Sequence, residues 1–242
     1  MSDPNRTSQS TRHATGPAGA AARTPAAAVA PATRHPLAAA YHLLITAAAL
    51  TGLVLAAVAG PAPTRLLASF PAQANIAAAL VSAASAHRAW TGRRPLSPGL
   101  TGAALSFLTL AAVLQLVLPA TSTTTFALPH PAPGTPAPFL SPLLLTTLTP
   151  LAALADWLLL TAPRGFRPRH AWQWPAYPLL HLAATLALPT PTGTRPGSLT
   201  TTLTIALASC LLPVITIAID QVRPSPRLPG NRISPTGIGP LK

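Results

Sequence analysis

Asp156 is the side chain of this chain best placed to do chemistry, because it is a carboxylate inside an apolar run. It lies seven residues before Pro163 within Phe139–Leu160, and His42 lies five residues into Leu37–Ala59. At about 1.5 Å of helical rise per residue, each would sit on the order of 10 Å from the end of its run. An unpaired ionised carboxylate at that depth is costly. Asp156 must therefore be neutral, reached by water, or paired, with His42, Arg164 or Arg167 as partner. Such a pair could bind a proton or an ion, or serve as a buried polar lock between helices. No second carboxylate lies within the runs to form a relay, so the lock is the first reading. His181 sits about midway through Trp172–Leu188, four residues after Tyr177, and reads first as a packing imidazole bonded to a hydroxyl or carbonyl. A base or ligand role is its second reading. Asn75 adds an amide to Leu66–Ala86, and Asp220 ends the last run, where solvation or pairing with Arg223 is expected.

Only membrane helices would hold such residues. Six apolar runs, Leu37–Ala59, Leu66–Ala86, Leu100–Leu118, Phe139–Leu160, Trp172–Leu188 and Leu199–Ile219, have 17 to 23 residues each. A bilayer core needs roughly 20 helical residues. Of the 16 basic residues, all but Arg65 and Arg195 fall in the tails or in the second–third and fourth–fifth loops, which share one side if every run crosses. Short loops rich in arginine stay cytoplasmic. The expected fold is all-α: an integral membrane bundle of six transmembrane helices with both termini cytoplasmic. A charged fraction of 8%, with three acids, could not solvate a soluble surface. The net charge of +13 is divided among four stretches beside the runs, which argues for topology and contact with membrane lipids and against nucleic acid.

Residues 1–35, rich in Ala, Pro, Thr, Ser and Arg, are expected to be a disordered cytoplasmic tail, 36–222 the transmembrane domain, and 223–242 a disordered basic tail. The tail also has the make-up of an organellar transit peptide. The chain-wide excess of Ala, Pro, Thr and Arg points instead to a bacterial plasma membrane. Residues 119–138 are expected to form an irregular outer loop. Leu66–Ala86, with Gln73, Asn75, Ser82 and Ser85, should be an interior-lining helix whose outer end Pro71 interrupts. Pro142, Pro150, Pro175, Pro178 and Pro213 should kink their helices, with Thr146, Thr147, Thr149 and Thr216 bonding the freed carbonyls. Trp90, Trp172 and Trp174 are expected at the cytoplasmic interface, with Trp157 slightly deeper. The lone Cys210 suggests neither a disulfide nor a metal cage, and no cofactor is expected.

The series Asp156-Trp157-Leu158, Pro163-Arg164-Gly165, Trp172 and Tyr177-Pro178 resembles the fourth-to-fifth helix signature of the bacterial proline-rich six-transmembrane proteins. These are relatives of the eukaryotic androgen-induced protein family. The resemblance covers roughly residues 36–222 and is concentrated in 150–181. In the eukaryotic relatives it implies hydrolysis of fatty-acid esters of hydroxy fatty acids, by a threonine nucleophile and a histidine. The bacterial Phe-Thr-x-x-Ser-Asn segment reads here Phe70-Pro71-Ala72-Gln73-Ala74-Asn75, and His-Thr-x-x-Pro reads Thr146-Thr147-Leu148-Thr149-Pro150. Pro71 stands at the threonine position and Thr146 at the histidine position, both at comparable depth from one face. Proline has no hydroxyl to attack a carbonyl, and threonine takes no proton near neutral pH. The expectation is a catalytically degenerate member that binds lipid or acts as a membrane scaffold. The alternatives are a lipid-ester hydrolase with substitute residues, such as Ser69 or Thr147 with His181, and a proton- or ion-coupled transporter centred on Asp156.

Overall fold

A computed structural model describes residues 34–59, 63–118, 124–129, 139–187 and 198–224. The tails, most of loop 119–138, Gly60, Leu188 and Arg195 lie outside the described residues. Every regular element described is helical: α1 (Pro36–Ala59), α2 (Pro63–Ala68), α3 (Phe70–Thr91), α4 (Pro98–Val117), α5 (Leu140–Leu159), α6 (His170–Gln173), α7 (Ala176–Ala187) and α8 (Leu199–Val222). Among the described residues α1, α4, α5 and α8 are long and apolar enough to cross a membrane. Their outer surfaces carry leucine and valine, such as Leu43, Leu44, Val54, Leu116 and Leu203, while Asn75, Ser106, Thr149, Ser209 and Asp220 are buried. Apolar outside and polar within is the pattern of a multipass membrane protein.

The second expected run is divided. α2 ends at Ala68, Ser69 is extended, and α3 starts at Phe70 with Pro71 in its first turn. Proline suits that position because a first-turn N–H has no partner in its own helix. Pro71 therefore starts this helix rather than interrupting it. The first N–H of α3, on Phe70, donates at 2.7 Å to Thr125 O of segment 124–129. That segment belongs to the stretch expected to be an irregular loop and has no regular structure, yet Phe126 is buried and stacks on Phe70 with 5.0 Å between centroids. α3 buries a broad face with Phe70, Asn75, Ala78 and Ala86 and leaves Leu80 exposed on the other side.

The fifth expected run is also divided: α6 and α7 are separated by Trp174 and Pro175. Pro175 and Pro178 lack the N–H groups that would bond the carbonyls of Ala171 and Trp174, so the ladder lapses although Trp174 keeps helical angles. In α5 a π turn over Leu143–Leu148 is closed by Thr149 N–H bonding Leu144 O. In that register Leu145 O faces Pro150, which has no hydrogen to give.

Taken in chain order, α1, α3, α4, α5, α7 and α8 alternate in direction. His35 N–H bonds Ala89 O and Thr46 Oγ1 reaches Ala79 O, so α1 and α3 run antiparallel. Tyr41 with Ala152 and Gly52 against Leu145 set α1 antiparallel to α5. Gln73 with Tyr177 and Phe70 with His181 set α3 antiparallel to α7. Gly99 with Trp174 and Phe107 with Tyr177 make α4 parallel to α7, and the C-terminal ends of α5 and α8 meet through Trp157 and Asp220.

Candidate functional site

Asp156 and His42 meet between α5 and α1, with Oδ1 at 3.5 Å from Nδ1. One residue earlier on α1, Tyr41 donates to Ala152 O at 2.9 Å, one turn from Asp156, so adjacent α1 residues grip one face of α5. The carboxylate borders a cavity of about 50 Å³. Its wall is mainly aliphatic and aromatic, with Trp157 and Phe166, and its hydroxyls come from Ser82 and Ser85 of α3, Thr101 of α4, and Thr161. Neither Arg164 nor Arg167 lines it. Asp156 Oδ1 receives no hydrogen bond among the described residues, although it stands within ion-pair distance of the imidazole. The space exceeds the volume one water needs, and it has hydroxyl partners for it.

Asp220 is organised in the opposite way. It is 1% exposed and accepts from Trp157 Nε1 at 3.2 Å, Phe166 N–H at 2.9 Å and Arg223 Nη1 at 3.3 Å. Arg223 also donates to the carbonyls of Leu158 and Thr161, both at 2.8 Å, and lies over the Trp157 ring. Gln221 Nε2 bonds Phe166 O, and Arg164 N–H, at a left-handed φ of 60°, reaches Asp220 O. The end of α8 thus folds the 160–169 link back onto the bundle. Asp220 is paired with Arg223, as one of its two sequence readings allowed, and is not solvated.

The folded link carries an aromatic stack. Phe166 stacks on Trp157 and meets Trp174 edge-on, while His170 lies flat against Trp174. Trp174 Nε1 donates to Gly99 O at 3.0 Å. Trp174 is therefore a core residue and not an interfacial anchor, whereas Trp90 and Trp172 are exposed. The stack fits only because α4 has Gly102 there: a Cβ would lie 2.8 Å from Phe166 Cε1 and closer still to Trp174. Burial, then the charges of Arg169 and Arg167, hold the His170 pKa below its ordinary value.

At the opposite end lie the positions that the resemblance singles out. Asn75 Nδ2 donates to Pro71 O at 2.8 Å and to Leu145 O at 3.0 Å, the carbonyl stranded by Pro150. One amide thus joins the Pro71 turn to the π turn holding Thr146. Pro71 is fully buried, and Thr146 Oγ1 is bonded to Pro142 O at 2.8 Å. Thr216 likewise bonds Leu212 O beside Pro213, while the buried Thr149 Oγ1 has no hydrogen-bond partner among the described residues. His181 packs against Phe70, Phe126 and Tyr177, and its buried Nε2 has no hydrogen-bond partner among the described residues. Tyr177 donates to Gln73 Oε1, and Ser69 Oγ donates to Leu66 O at 2.7 Å. Among the described residues no hydrogen bond joins His181 to Ser69, Thr147 or another hydroxyl.

Sequence reasoning missed the Asp220 cluster as a construction. The composition Pro-Arg-Gly-Phe-Arg-Pro reads as a basic loop, and only the Gln221-Val222-Arg223 stretch beyond Asp220 hinted at further donors. Comparison of the chain with family models, curated proteins and solved structures gave no match.

Proposed function

We propose that this is a six-span protein of the bacterial plasma membrane, with both termini cytoplasmic, that binds lipid or scaffolds other membrane proteins and does not hydrolyse esters. In this reading α3 and the α6–α7 course are crossings beside the four longer helices. The alternating helix directions support it: they gather Arg34, Arg88, Arg93, Arg94, Arg164, Arg167, Arg169 and Arg223 at one end and leave Arg65 toward the other. The relationship to the proline-rich six-transmembrane proteins is part of the same proposal. The observation that carries the non-hydrolytic reading is the Asn75 clasp. It holds the Pro71 and Thr146 segments side by side, yet the first has no hydroxyl and the second spends its own on Pro142 O. A nucleophile without a base within bonding distance has no route to activation. Protein purified in detergent should give no turnover of long-chain hydroxy-fatty-acid esters and no labelling by a serine/threonine-directed fluorophosphonate. Turnover that disappears in His181→Ala would reverse the reading.

One observation favours a second reading, proton- or ion-coupled transport: a carboxylate–imidazole pair beside a cavity that carries hydroxyl groups, inside helices of otherwise apolar make-up. Proteoliposomes should then carry a flux that Asp156→Asn abolishes while the protein remains folded.

A further inference from the structure

The bundle contains two carboxylates whose surroundings differ in kind. Asp220 is closed: it is 1% exposed and takes hydrogen bonds from three donors on three residues. Asp156 is open: it has a titratable neighbour, no donated hydrogen bond among the described residues, and at its side a mainly apolar cavity that carries serine and threonine hydroxyls. A carboxylate meant only to fasten helices gains most from fixed donors, as at Asp220. One that must exchange a proton needs a partner able to hold that proton, and water within reach.

We propose that the His42–Asp156 pair is a hydrated proton-binding site, loaded through the cavity from the arginine-rich end, that clasps α1 to α5 only while one proton is held. The groups facing it are few. α1 presents Tyr41 and His42, α3 presents the neutral Ser82 and Ser85, α4 presents Thr101, and the 160–169 link presents Thr161 and Phe166. No arginine lines the cavity to compensate either charge. With one proton the pair is imidazolium with carboxylate, or imidazole with carboxylic acid, and the two partners attract or share a hydrogen bond. A second proton, delivered by water to the carboxylate, leaves an imidazolium without its counter-charge. Loss of the only proton to water leaves a carboxylate alone in an apolar wall. Both changes weaken the contact, and Tyr41 with Ala152 remains as the neighbouring tie. The side chains are 17% and 19% exposed, so the pair is not sealed off.

The composition gives a clean test. The sequence contains three side-chain carboxyls, Asp3, Asp156 and Asp220, so the infrared carbonyl stretch of a protonated acid can be assigned with single substitutions. The full chain in nanodiscs would be titrated between about pH 4 and 9, a range that spans the ordinary carboxylate and imidazole values. The expected result is a protonated-carboxyl band that titrates reversibly, is lost in Asp156→Asn, and shifts its midpoint in His42→Gln. A wild-type protein with no titrating band, or a band that persists in Asp156→Asn, overturns the proposal. So does an unchanged midpoint in His42→Gln. The site is shared with the transport reading, but no flux is required. A titrating Asp156 band in protein that carries no proton flux supports the binding site while removing transport.

Discussion

Replacing Asp220 by alanine should destabilise the protein more than any other single change at the arginine-rich end. The carboxylate is fully buried and takes hydrogen bonds from Trp157 Nε1, Phe166 N–H and Arg223. Alanine leaves the first two donors without acceptors in an environment closed to water, at about 1–3 kcal/mol each. Arg223 keeps the carbonyls of Leu158 and Thr161, so its cation loses a counter-charge but not its whole shell. The sum falls at about 3–5 kcal/mol, the range found when one member of a buried pair is removed. For a chain of this size that corresponds to a fall in Tm on the order of 10 °C. Asp220→Asn keeps one acceptor oxygen and should cost about 1–3 kcal/mol, between wild type and alanine. Tryptophan fluorescence during thermal unfolding in detergent is a direct readout, because Trp157 and Trp174 both belong to the cluster. An Asp220→Ala protein within about 0.5 kcal/mol of wild type, the scatter of surface substitutions, would refute the reasoning.

Gly102→Ala forces a methyl group into the Trp174 and Phe166 rings and should cost about 1–3 kcal/mol by overpacking; a Tm unchanged by this substitution would mean the stack is not formed. Asn75→Ala strands Leu145 O and should cost about 1–3 kcal/mol, with deuterium exchange rising first over 143–149; exchange rising elsewhere would remove the clasp from the explanation. The pKa of His170 is lowered on folding, so the unfolded chain binds the extra proton first as pH falls. Its contribution is present above the ordinary imidazole value of about 6.5 and is lost as pH falls through the folded value. Wild type should lose more Tm than His170→Gln between about pH 7.5 and 5, and equal losses would count against the buried placement.

Hydropathy makes the long helices legible, because length and apolarity are properties of local sequence. α1, α4, α5 and α8 each begin and end within three residues of the bounds of an apolar run. The breaks are legible as prolines but not as to consequence. Pro71 begins a helix, Pro150 shifts a turn into π register, and Pro175 with Pro178 splits a run. The difference lies in whether the missing N–H would have been bonded at all. What sequence alone could not give are contacts closed by chain segments far apart. Phe126 sits in a threonine- and proline-rich loop, and nothing local says that it stacks on Phe70 while Thr125 O accepts the first N–H of α3. Trp174 reads as an interfacial anchor until Gly102 is brought opposite it. The partner of Asp156 was legible because depth along two helices can be counted from their ends. Of the donors of Asp220, Arg223 was legible from its spacing, whereas Trp157 and Phe166 were not, because one comes from another helix and the other depends on the 160–169 link folding inward.

This contrast reassigns a role within the bundle. From sequence, Asp156 is the buried carboxylate and hence the natural lock, while Asp220 lies at a helix end where solvent would satisfy it. In the folded protein the strong fastening belongs to Asp220, which joins α5, the following link and α8 through directed hydrogen bonds. His42 and Asp156 approach without an aligned hydrogen bond and keep a cavity open beside them. Trp157 stands between the two, its indole N–H committed to Asp220 and its ring forming part of the Asp156 cavity wall. Removing the Asp220 clamp should therefore loosen the cavity as well as the link. In Asp220→Ala the Asp156 infrared band should titrate over a broader range, as its surroundings become heterogeneous. A band unchanged in both midpoint and width would show that the two carboxylates are independent and that Trp157 transmits nothing between them.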